Sequence, residues 1–194
     1  MSLVKYLYVK IYFVTRKNAI FKSIIKINEV VLDKLDIVVA QWHQQKPMLE
    51  TGPMALIGRL LRISKHIETR IVQCHRRLGL SLGEFDVLAA LRRSAKQSCL
   101  TPSELIDALL LTSGAMTNRL DKLCEKDLVS RSHSEQDRRS VTVQLTDAGR
   151  DLIDQAIQNH VQILNELING LNEEDKTLLD ATFKKWLTQF EPQC

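Results

Sequence analysis

Two groups of polar side chains in this sequence stand out for what they could bind. Ser113, Gly114, Thr117 and Asn118 lie at or just after the N-cap type residues Thr112 and Ser113, while Met116, Leu120 and Leu123 recur at helical spacing. A helix over about 112–127 is therefore predicted, with one side in a core. At about 100° per residue the four small polar positions fall mostly on the other side, within the first two turns. A helix end of that kind comes close to base edges and phosphates and hydrogen-bonds there. The same pattern also suits an ordinary solvated helix face, and the helix alone does not separate the two.

The second group follows at once. Ser130-Arg131-Ser132, a polar turn His133-Ser134-Glu135-Gln136-Asp137-Arg138-Arg139, and the strictly alternating Val141-Thr142-Val143-Gln144-Leu145 read as strand, turn, strand. Arg138 and Arg139 at the tip of a hairpin suit insertion into a narrow minor groove, whose negative potential attracts guanidinium groups. Asp137 is placed to aim Arg139 through a charge-assisted hydrogen bond.

At these residues the chain resembles the MarR family of transcription regulators. The resemblance rests on the helix, Asp137-x-Arg139, and Val143-x-Leu145-Thr146 followed by Asp147-Ala148-Gly149-Arg150, and covers roughly residues 54 to 190. It implies a winged helix-turn-helix fold, mainly α with a small β-hairpin wing. It also implies a homodimer on a pseudo-palindromic site in double-stranded DNA, the 112–127 segment in the major groove and the 131–140 wing in the minor groove.

The remaining elements must carry this module. With 194 residues, 44% hydrophobic and 26% charged, the chain suits one medium domain with a sizeable core. Scarce aromatics and abundant leucine favour helices. The net charge is +4, but residues 1 to 28 hold six of the 27 basic residues and no acid, leaving 21 basic against 23 acidic residues, a net −2. Nucleic-acid affinity must then come from local placement, with few salt-dependent phosphate contacts per subunit.

Residues 1–28 interleave cations with aromatics, so no apolar run reaches the ~20 residues that span a bilayer. They read as an appended or mis-started extension, an interfacial or DNA-contacting arm being the alternative. Residues 29–80 are predicted to hold a helix from Glu29 to Lys46 ended by Pro47, a break at Thr51-Gly52-Pro53, and a long helix from about Met54 to Leu78 stopped by Gly79.

Residues 81–146 form the DNA-binding domain. Ser81-Leu82-Gly83-Glu84 and Thr101-Pro102-Ser103-Glu104 have capping-box spacing and open two helices. The second of these, to about Leu110, pairs with the 112–127 helix across a tight turn near Leu111. Thr146 and Asn172 cap two more helices in residues 147–194. Their wide apolar faces, with those of the N-terminal helices, call for a partner surface, hence a helical dimerisation region built from both chain ends.

A regulator needs an input. Arg119 falls on the inner side of the 112–127 helix and Asp86 at the margin of its own helix's apolar stripe. Each costs heavily to bury unpaired, so the two are expected to face each other. On spacing alone a plain structural salt bridge is the first reading. In the urate-responsive, PecS-type branch of the MarR family, the ligand-linked set is a tryptophan of an added N-terminal helix, this aspartate, this inward arginine and an arginine at the start of the wing. The resemblance thus implies Trp42, Asp86, Arg119 and Arg131 here, with urate or a related planar anion as effector and DNA release as outcome. An indole to stack on and a guanidinium to hold the charge suit such a ligand.

Other inputs stay open. Cys74, Cys99, Cys124 and Cys194 suggest a reduced, cytoplasmic protein, and the family includes thiol-based peroxide sensors; Cys74 stands beside His75, Arg76 and Arg77. The five histidines show no tight ligand cluster, so no metal or other cofactor is expected. No phosphate-cradling glycine loop, nucleophile elbow or paired catalytic carboxylates appear, which argues against an enzyme. A winged helix serving purely for protein interaction is the remaining alternative.

Overall fold

The computed structural model describes residues 32–94, 99–133 and 141–191. In chain order these form α1 (Lys34–Gln45), α2 (Gly52–Arg76), α3 (Leu82–Arg93), β1 (Cys99–Leu100), α4 (Pro102–Leu109), α5 (Ser113–Glu125), β2 (Val129–His133), β3 (Val141–Leu145), α6 (Asp147–Ile168) and α7 (Glu173–Leu187). The chain divides into two compact units, residues 1–65 and 66–194, with the division inside α2.

In the first unit Asp33 caps α1, accepting the backbone N–H groups of Leu35 and Asp36, and Asp36 returns the bond to the Asp33 N–H. Arg59 of α2 clamps both carboxylates, Nε to Asp33 at 2.7 Å and Nη2 to Asp36 at 2.6 Å. Its hydrogen bond is the main reason the Asp33 carboxyl falls to about 2. α2 begins at Gly52, two residues before the expected start. The break lies upstream of it, and Pro53 sits in the first turn, where its missing N–H costs nothing. Buried Thr51 shares a 3.0 Å hydrogen bond with His43.

The second unit holds one apolar core. Phe85, Val87, Leu88 and Leu91 of α3 meet Leu105 of α4, Met116, Leu120 and Leu123 of α5, Val143 and Leu145 of β3, and Ile153 and Ala156 of α6. Ser81 and Thr101 cap α3 and α4 with complete capping boxes, and Thr112, Thr146 and Asn172 cap α5, α6 and α7. Leu82, at the start of α3, is exposed, while Val87 is fully buried.

The wing is a three-stranded antiparallel sheet in the order β1-β3-β2. Val129 pairs with Leu145, Arg131 with Val143, and Leu100 with Val143 from the other side. The two predicted strands pair antiparallel, and β1 adds a third strand to them. Gly149 in the first turn of α6 is required by contact: a Cβ there would stand 1.9 Å from the carbonyl oxygen of Leu128. That close approach seats α6 on the start of the wing. Among the described residues no helix is long and apolar enough to cross a membrane.

Candidate nucleic-acid interface

α5 presents two chemically different sides. Met116, Leu120 and Leu123 are buried, whereas Ser113, Gly114, Thr117 and Asn118 are all exposed in its first two turns. The Thr117 hydroxyl donates to the Ser113 carbonyl at 3.0 Å, which leaves its oxygen lone pairs outward. The small polar surface expected from spacing is therefore a real, solvent-facing surface. Arg138, Arg139 and Asp137 lie outside the described residues.

What holds α5 at its angle is the first turn of α3. Arg119 packs its guanidinium over Gly83, so closely that a Cβ on Gly83 would meet its Nε at 2.6 Å. At the other end of α5, Lys126 donates to Glu84 Oε1 at 2.6 Å and to the Gly79 carbonyl at 2.9 Å. Glu84 also accepts the Ser81 N–H. Burial pulls its carboxyl upward, but the bonds from Lys126 and Ser81 outweigh that and leave it below the ordinary value. Capping-box spacing marked Glu84 in the sequence. Nothing there marked Lys126 as its partner.

Asp86 and Arg119 are near enough to act on each other but not to bond. Among the described residues no hydrogen bond or ion pair joins them. Burial raises the Asp86 carboxyl, and the charges of Arg119, Arg93 and His160 oppose that rise. The expected face-to-face ion pair is thus corrected to a looser electrostatic couple, with the Arg119 guanidinium packed against Gly83. Arg131 pairs instead with Asp121 of α5 at 2.7 Å. Trp42 belongs to the first unit, on α1, and is 38% exposed.

The structure also gathers groups that the sequence kept apart. His75 of α2 and His160 of α6 share a hydrogen bond at 3.2 Å, and Phe85 stacks on His75 with ring centroids 3.9 Å apart. His75 is fully buried and its Nδ1 has no hydrogen-bond partner among the described residues. Burial, then the neighbouring His160, lowers its pKa to about 4. Burial lowers His160 as well, against the pull of Asp86. Cys74, one residue away, is buried.

Comparison with known proteins bears on this arrangement. A sequence profile of the MarR family matches residues 78–140. The transcriptional regulator PecS of Dickeya dadantii is 38% identical over 144 residues, 74% of this chain and 87% of that protein. A solved mutant of Escherichia coli MarR complexed with operator DNA superposes with a TM-score of 0.59 at 28% identity, over 75% of this chain and 97% of that one. Bordetella bronchiseptica BpsR, solved to explain how 6-hydroxynicotinic acid regulates its DNA binding, superposes with a TM-score of 0.58 at 25% identity, over 67% of this chain and 91% of that one. With a relative this similar over most of both lengths, and with a winged helix-turn-helix fold, the chain belongs to the MarR family as a PecS-type winged-helix transcription regulator and is not an enzyme.

Proposed function

We propose that the protein is a ligand-relieved transcriptional repressor that binds a pseudo-palindromic operator as a homodimer. The observation that carries this is the outward face of α5: Ser113, Gly114, Thr117 and Asn118 stand free while the opposite face is locked in the core. A helix of this kind enters the major groove with its N-terminal residues toward base edges. In this reading the wing residues Arg138 and Arg139, the latter aimed by Asp137, reach the adjacent minor groove. Helices from both chain ends join the two subunits; exposed Val161, Ile168, Leu178 and Phe183 of α6 and α7 supply apolar surface for that.

The effector is a small planar anion such as urate, with Asp86, Arg119 and Arg131 as the residues that answer to it and Trp42 as the indole that the sequence resemblance adds to the set. Support comes from the Arg119 guanidinium, turned inward and without an ion pair among the described residues, and from the half-buried carboxyl beside it. A bound anion that draws Arg119 off Gly83 changes the seat of α5 directly. That BpsR answers to 6-hydroxynicotinic acid, another small aromatic acid, is in keeping.

The test is a mobility shift with duplex from upstream of the protein's own gene. The complex is expected to form on one palindromic site far more tightly than on random DNA, and to be lost on adding millimolar urate. A complex that survives urate and dissolves with peroxide would replace this effector with a thiol switch.

A further inference from the structure

The turn between α4 and α5 contains a residue that neither packing nor backbone preference explains. Leu110 caps α4 with φ 51° and ψ 48°, in the left-handed region, its N–H bonded to the Ile106 carbonyl. Its neighbours Leu109 and Leu111 turn inward and pack against the core. Leu110 itself is 93% exposed. A left-handed helix cap is ordinarily glycine or asparagine, because a Cβ crowds the following carbonyl.

The same chain uses suitable residues where only conformation matters. The other described positive-φ positions are Gly79, at φ 72°, and Asp127, at φ 55°, and both residue types visit this region readily. At 110 the chain accepts both a strained backbone and a bare isobutyl group. Strain of this kind persists where a site uses the side chain it displays.

Position indicates what covers it. Leu110 is followed by exposed Thr112, Ser113 and Gly114, the leading edge of the α5 face, and no carboxylate lies between Asp107 and Asp121. We infer that Leu110 is an apolar reader of the operator, lying in the bound complex against the hydrocarbon that a duplex offers at that edge: a thymine methyl or a deoxyribose face. This rests on the proposed function, since it needs α5 in the major groove, and it adds a specificity contact to the polar ones.

The experiment uses the full chain and its footprinted operator, with Leu110→Gly and Leu110→Asn compared with wild type by fluorescence anisotropy and thermal unfolding. Both variants should unfold at a temperature no lower than wild type yet bind the operator about tenfold more weakly, with little change on random duplex. Thymine-to-uracil replacement at each position under the footprint edge separates the two sources. Loss of about fourfold for wild type and none for Leu110→Gly identifies a thymine methyl. No uracil effect at any position, with the variants still weak, identifies the sugar. Wild-type operator affinity in both variants overturns the inference alone. Wild-type protein that prefers no duplex over random DNA overturns it together with the proposed function.

Discussion

Nζ of Lys126, just past the C-terminus of α5, lies 2.6 Å from Oε1 of Glu84, a residue only 3% exposed in the first turn of α3. One carboxylate therefore completes the α3 capping box with one oxygen and anchors the end of α5 with the other. Lys126→Met strands that buried charge. It should cost about 2 kcal/mol, less than the ~3 to 5 of a fully buried pair, because the ammonium is partly in water. In urea unfolding, Lys126→Met combined with Glu84→Gln should recover part of the loss; a double variant no better than the single one would show that the charge was not the cause.

Gly149→Ala places a methyl 1.9 Å from the Leu128 carbonyl oxygen, which also accepts the Thr146 N–H. Neither partner is a flexible side-chain end, so α6 must move off the wing. The expected loss is about 3 kcal/mol, read as a lowered unfolding midpoint. A midpoint within experimental scatter of wild type would rule out that seat.

His75 makes stability depend on pH in a defined direction. Its folded pKa of about 4 lies below its ordinary value of 6.5, so the unfolded chain binds the proton first as pH falls. The contribution is fully present above pH 6.5 and is lost as pH drops toward 4, on the order of 3 kcal/mol. His75→Phe, which keeps a ring against Phe85, should flatten that part of the profile relative to wild type. Parallel profiles over this window would refute it.

Arg119→Gln removes the inward charge beside Asp86 and Gly83. The variant should keep its fold and bind the operator somewhat more weakly, since its seat over Gly83 is loosened, and what complex forms should need roughly tenfold more urate for release. Mobility shifts at graded urate measure this, and an unchanged half-point excludes Arg119 from the effector site.

Arg131→Ala breaks the pair with Asp121, whose partners are 37% and 52% exposed. Exposed pairs contribute little, so the unfolding midpoint should move by less than about 1 kcal/mol. Any larger drop in urate response than in stability separates a ligand role from a structural one.

Much of this protein is local and therefore legible in the order of its residues. Ser81, Thr101, Thr112, Thr146 and Asn172 are N-caps because a side-chain oxygen reaches a backbone N–H three residues on, a rule that needs no tertiary contact. The inward Met116, Leu120 and Leu123 and the outward Ser113 and Asn118 follow from helical period alone. The alternation of Val141 to Leu145 likewise marks a strand with one face in the core.

Folding in three dimensions decided the rest. β1 is two residues long, too short to show a period, and exists only because Leu100 finds Val143. His75 and His160 stand 85 positions apart, so only the packing of α2 against α6 makes them neighbours. Arg119 was legible as inward, but its resting place over Gly83, out of hydrogen-bonding contact with Asp86, depends on how closely α3 and α5 approach. Helical period fixes the direction of a side chain about its own axis. What that side chain meets is set by the separation and angle of a second helix, and those come from the whole core.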